Sequence, residues 1–113
     1  MKNPRVYIIH IRDCIARIEQ YTAEGEAAFF SDIKTQDAVI RNLEVMGESV
    51  SLLPEHWKNH YPKMDWQGIA DFRNVLAHQY LGLELDAIWN IVENYLPELS
   101  QCIDNMAQEF WNQ

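Results

Sequence analysis

RVYIIHIRDCIARIEQYT, residues 5–22, decides the fold class. Ile8, Ile11, Ile15 and Ile18 recur at spacings of three and four, and Tyr7, Cys14 and Tyr21 widen the stripe. That spacing follows the turn of an α-helix and not the two-residue pleat of a strand. It predicts a first helix over roughly residues 5–22. Outward from it, TAEGEAAFFSD breaks the pattern at Gly25. A second helix starts at a cap between Ser31 and Thr35, carries Val39, Leu43, Met46, Val50 and Leu53, and stops before Pro54. PEHWKNHYPKMD, residues 54–65, holds two prolines and reads as a long loop. Asp65 caps a third helix over about 66–81, with Trp66, Ile69, Phe72, Leu76 and Tyr80 or Leu81 apolar and Gly82 as its C′ residue. From Asp86 the period returns through Ile88, Val92, Tyr95 or Leu96, Leu99, Ile103, Met106 and Phe110. Pro97 interrupts this last run, either kinking one long helix or opening a fifth. No stretch alternates apolar and polar strictly over six or more residues. The expected fold is all-α, an antiparallel up-and-down bundle of four to five helices.

The rest of the composition bounds the function. At 113 residues the chain holds one domain, 1–113, and 48% hydrophobic residues against 23% charged is ordinary for a packed globule. No apolar run approaches the roughly 18–20 residues of a membrane span. The opening MKNPRVYIIHIRDC meets Arg12 and Asp13 after a very short apolar stretch, without a signal-peptide core, so a soluble, cytoplasmic protein is expected. Cys14 and Cys102 sit inside amphipathic patterns and read as small buried hydrophobes. His56 and His60 are spaced i, i+4, yet Pro54 and Pro62 bracket them and no thiol or carboxylate completes a metal set, so neither metal nor cofactor is expected. Seventeen acidic residues against nine basic ones give a net charge of −8. A general nucleic-acid coat protein is excluded, and no DNA partner is expected; affinity for RNA has to be local.

One segment stands apart: Arg73-Asn74-Val75-Leu76-Ala77-His78-Gln79-Tyr80. It gathers a guanidinium, an amide, an imidazole and a phenol. Arginine offers a planar fork of donors suited to phosphate, and histidine exchanges protons near neutral pH. A clamp and a general acid/base suffice to cleave RNA, because the ribose 2′-OH is itself the nucleophile. On an ideal helix, at about 100° per residue, Arg73 and His78 lie roughly 140° apart. They converge within one chain only if the helix distorts or the arginine curls round; two copies about a twofold axis bring them together more easily. The structural alternative is Arg73 in a surface ion pair with Asp71 or Glu84, and His78 buried and hydrogen-bonded.

RNVLAHQY resembles the R-x-x-x-x-H-x-Y motif of HepT-like proteins of the HEPN superfamily. The similarity extends to Asp37–Val50 (DAVIRNLEVMGESV), to Trp66, to Asp86 with Ile88–Val92, and to Leu96-Pro97-Glu98-Leu99, and so covers most of the chain. The resemblance implies a dimeric helical bundle that acts as the ribonuclease toxin of a two-gene toxin–antitoxin module. It implies metal-independent cleavage by residues at the positions of Arg73 and His78, with Asn74 in the same site. It also implies a partner antitoxin, a minimal nucleotidyltransferase of the MntA-like type, that attaches AMP to the residue at Tyr80. Read without the resemblance, Tyr80 is a half-buried aromatic.

Arg41 and Glu48, seven residues apart and so on one helix face, could line the cleft or support Arg73; a solvated face or an ion pair within the bundle explains them as well. His10 lies on a polar flank and receives no role. Thirteen aromatics are more than so small a core buries, so a homodimer through the face carrying the motif helix is expected. The alternative to an enzyme is a non-catalytic helical subunit that presents substrate or nucleotide to a partner nucleotidyltransferase.

Overall fold

The computed structural model describes residues 3–78 and 84–112, and within these the side chains of all but residues 73–78. Helix α1 spans Pro4–Tyr21. The Asn3 side chain accepts the Arg5 N–H at its start, and Pro4 takes a first-turn position where no N–H is needed. The stripe read from the sequence is its inner face: Ile8, Ile11 and Ile18 are wholly buried, and Cys14 and Ile15 nearly so. Helix α3, Ile33–Ser51, begins inside the expected window. Asp32 caps it, accepting from the Lys34 N–H at 3.1 Å and from the Thr35 hydroxyl at 2.8 Å. Val39, Leu43, Met46 and Val50 turn inward against α1. Each fully buried side chain of this size contributes roughly 1.5–3 kcal/mol.

Two short helices occupy stretches that carry no period. Helix α2, Glu26–Ser31, enters through Gly25 at φ 95°, a backbone that favours glycine. Six residues make too few turns to show a stripe, and what holds α2 is Phe29, wholly buried with its ring 5.3 Å from that of Trp89. Helix α4, Glu55–Lys58, lies in the segment expected to be loop. Its Trp57 is buried and stacks on Phe110 at 5.2 Å and 10°. The edges of His56 and His60 meet the same Phe110 ring, and Glu109 takes both the His60 ring nitrogen and the Tyr61 hydroxyl. The Trp66 indole N–H donates to the carbonyls of Lys58 and Tyr61 at 3.1 Å each, which closes the segment onto the bundle.

Helix α5 runs Trp66–His78. The Asp65 carboxylate accepts the Gly68 N–H at 2.8 Å, as the capping reading anticipates. The rest of that expected helix, Gln79–Leu81, and its proposed stop at Gly82 lie outside the described residues. The C-terminal rod comprises α6 (Leu85–Asn90), a π-helical turn (Ile91–Tyr95) and α7 (Leu96–Phe110), and its backbone stays helical at both junctions. Pro97 therefore neither breaks the rod nor starts a separate one. Its ring would press on the Glu93 carbonyl four residues back, and the π turn widens the helix at that point.

Four long rods thus make the bundle. Arg5 sits over the Trp111 ring at 5.7 Å and Arg12 pairs with Asp104 at 2.9 Å, so seven residues up α1 match seven residues down α7. Those two rods are antiparallel. The Tyr95 hydroxyl donates to the Asp65 carbonyl, so the middle of the C-terminal rod meets the start of α5. Among the described residues no helix is long and apolar enough to cross a membrane. Both cysteines are buried free thiols. Burial raises the Cys14 pKa and pushes that of Cys102 to about 11, so neither is a thiolate at neutral pH and both behave as core residues.

Candidate active site

Three of the four motif residues, Arg73, Asn74 and His78, lie on the backbone of α5, which is regular α-helix through His78. Helix distortion therefore does not bring Arg73 and His78 together. Their backbone positions stay roughly 140° apart around the axis, with Asn74 and Ala77 between them. The side chains of residues 73–78 lie outside the described residues, as does Tyr80.

The elements that hold α5 fix which way this arc faces. Ile69 is buried and Phe72 half-buried on the side of the helix that meets α3, with the Ile69 position about 40° and the Phe72 position about 100° from that of Arg73. A cavity of about 230 Å3 lies on that core side, walled by Leu43, Met46, Ile69, Phe72, Ile91 and Tyr95. Tyr95 closes one end with its hydroxyl on the Asp65 carbonyl. Burial first, then the carboxylates of Asp65 and Glu98, push its pKa to about 12, so it is a fixed donor at neutral pH. Burial and then Glu109 do the same for Tyr61, also to about 12. The His78 position lies on the far side of α5 from Ile69, and the Arg73 position lies one turn beyond Ile69 at the edge of this wall.

Arg41 and Glu48 are both exposed on α3. Arg41 is paired at 3.4 Å with Glu44 of its own helix, and its side chain is 70% exposed. His10 is exposed on α1. Sequence reading gave no role to Glu109, which ties down two residues of the α4 segment from the end of α7. The only signal was the apolar stripe of α7 continuing to Phe110, its chain neighbour.

The model of the Ribonuclease HepT-like family matches residues 11–106, from the middle of α1 to the last turns of α7 and across the whole motif. The chain belongs to the HepT-like ribonuclease family. Among relatives of this HepT-like chain, a Methanocaldococcus jannaschii protein whose name proposes an RNase is 41% identical over 96% of this chain and 90% of its own length. A second protein of that organism, whose name joins a gamma-glutamylcyclotransferase to a proposed RNase, is 34% identical over 96% of this chain, which spans only 49% of it. The mRNA nuclease HepT of Shewanella oneidensis is 28% identical over 90% of this chain and 94% of its own. No solved structure matches this HepT-like chain.

Proposed function

We propose that the protein is a metal-independent endoribonuclease, the toxin of a two-gene toxin–antitoxin module, acting in the cytoplasm as a homodimer through the α5 face. One observation carries the reading: the R-x-x-x-x-H motif stands on a regular helix inside the span matched by a ribonuclease family. In this mechanism His78 takes the proton of the ribose 2′-OH, whose oxygen attacks the adjacent phosphorus. The bond to the 5′-oxygen breaks, that oxygen takes up a proton from water, and the products carry a 2′,3′-cyclic phosphate and a 5′-hydroxyl. Arg73 neutralises the charge that builds on the non-bridging oxygens, and Asn74 donates to the same group. A dimer supplies the second set of residues that one straight helix keeps apart.

The test is incubation of purified protein with single-stranded RNA and excess chelator. Cleavage to cyclic-phosphate ends is expected. Intact RNA at high protein concentration, or activity restored only by a divalent cation, overturns the mechanism and favours a non-catalytic subunit.

Regulation follows from the same site. Tyr80 stands two residues beyond His78, and an MntA-like nucleotidyltransferase partner attaches AMP to it: the phenol oxygen bonds to the α-phosphorus of ATP, and pyrophosphate leaves. The new phosphate pairs with the Arg73 guanidinium in place of RNA and repels the strand. A tyrosine hydroxyl near its ordinary pKa of about 10 is a poor base, so cleavage does not need it. Tyr80→Phe is expected to cleave RNA within about threefold of wild type, because at most one neutral hydrogen bond is lost. Co-expressed with the partner, it should gain no mass and stay toxic. A Phe variant that is modified and silenced refutes the assignment.

A further inference from the structure

A second cavity, of about 360 Å3, opens where the end of α3, α4 and the first turns of α5 meet. Ser51, Glu55, Lys58, Trp66, Gln67 and Ala70 line it. Lys58 is the unusual member. Lysine is almost never buried without a partner, and here its side chain is 9% exposed. Its ammonium pairs at 3.0 Å with Glu55, whose own side chain is 81% exposed. An exposed carboxylate one turn away adds little stability and is easily released to water. The fold therefore holds a cation in a cavity behind a removable counter-ion.

One other polar group suits an oxyanion. Gln67 uses one amide hydrogen on Asp71 at 2.9 Å, which leaves its second N–H available, while the Ser51 hydroxyl hydrogen is spent on the Glu48 carbonyl at 2.7 Å. The Trp66 indole is fixed by its two hydrogen bonds, so that wall is rigid.

Position on α5 names the ligand. Measured from Ala70 at about 100° per residue, Trp66 and Gln67 fall near −40° and +60°, and Asn74 and Ala77 near +40° and −20°. Arg73 and His78 fall near −60° and +80°, so the cavity and the motif share one arc of the helix. Ala70 and Asn74 are only about 6 Å apart along the axis. A strand whose phosphodiester lies at the motif carries its next phosphates toward Lys58.

We propose that the Lys58 cavity is a subsite for a backbone phosphate of the RNA strand, flanking the phosphodiester that is cleaved. This rests on the ribonuclease reading. The phosphate takes the place of Glu55, whose single charge it matches and whose exposed carboxylate is readily released to water.

The experiment measures binding of a single-stranded 2′-deoxy oligonucleotide, which lacks the nucleophile, to the full chain over a range of salt. Lys58→Gln should weaken binding about tenfold, the scale of one lost charged hydrogen bond. It should also flatten the plot of log affinity against log salt by about 0.7, one phosphate's worth for a single strand. Glu55→Gln should tighten binding severalfold, because the competing carboxylate is gone. Gln67→Glu tests the cavity without touching Lys58, and it should weaken binding while a first-turn acid leaves the helix stable. With RNA, Lys58→Gln should raise KM and leave kcat within about twofold, the pattern of lost uniform binding. Affinity and salt slope unchanged in all three variants overturn the subsite, as does a weakened Glu55→Gln, which would mark the ion pair as structural only. Failure of the ribonuclease reading shows separately, as intact RNA with the wild type while the oligonucleotide pattern persists.

Discussion

Replacing His78 by Ala is expected to lower RNA cleavage by about 10²–10⁴-fold, the usual contribution of a positioned general acid/base. Arg73→Ala should cost about 10²–10³-fold, the scale for one preorganised donor to a developing oxyanion. In the proposed mechanism the two residues serve one transition state, so the double variant should be far less impaired than the product of the single losses. Alanine is the strongest helix former, so neither replacement weakens α5 itself. Helical circular dichroism and the melting temperature should therefore stay close to wild type. The measurement is an initial-rate assay on a defined RNA with chelator present, together with growth on overexpression. Cleavage at the wild-type rate by both variants would mean that the motif is not the catalytic centre.

Phe110→Ala, at the end of α7, should strongly destabilise the packing of the α4 segment. The ring is 3% exposed, stacks on Trp57 at 5.2 Å and receives the edges of His56 and His60. Removing it leaves a cavity that two imidazoles and an indole cannot close without moving α4. Truncations of this kind cost about 3–5 kcal/mol. A domain of this length has a total stability on the order of 5–15 kcal/mol, so a large share is lost. Thermal denaturation should show the midpoint lowered by roughly 10 °C or more. Tyr61→Phe is the contrast: it removes only the hydroxyl bonded to Glu109 at 2.9 Å, and should cost about 1 kcal/mol or less. Equal melting of the Phe110 and Tyr61 variants would show that the stack does not hold the segment.

The rods were legible because each repeats an apolar residue every three or four positions over at least three turns. Burial then selects that face, as at Ile8, Ile11, Ile15 and Ile18. Helices α2 and α4 were not legible for the converse reason. They are six and four residues long, and each exists because one aromatic finds a distant partner, Phe29 on Trp89 and Trp57 on Phe110. Such tertiary stabilisation leaves no local period. The π turn has no compositional mark either, and only Pro97 hinted at an irregularity. Of the proposed site, Arg73 and His78 stood out as candidates by residue type and by the resemblance of their spacing. The Lys58 cavity was invisible because α3, α4 and α5 each supply part of it, and nothing in the string EHWK distinguishes a buried lysine from a surface one.

The π turn at Ile91–Tyr95 also works as a change of phase. A turn closed by i to i+5 bonds takes up one extra residue, which sets everything beyond it back by about 100° around the axis. Leu85, Ile88 and Trp89 before it face α2 and the core, and Leu99, Ile103, Met106 and Phe110 after it face α1 and α4. One continuous rod thereby serves two sets of neighbours that a shaft of uniform pitch would have to meet with a single side. The wide turn is therefore as much a part of the packing as the side chains. Wound as uniform α-helix at the same length, the rod would keep every apolar side chain and yet swing those beyond the turn about 100° away from their partners.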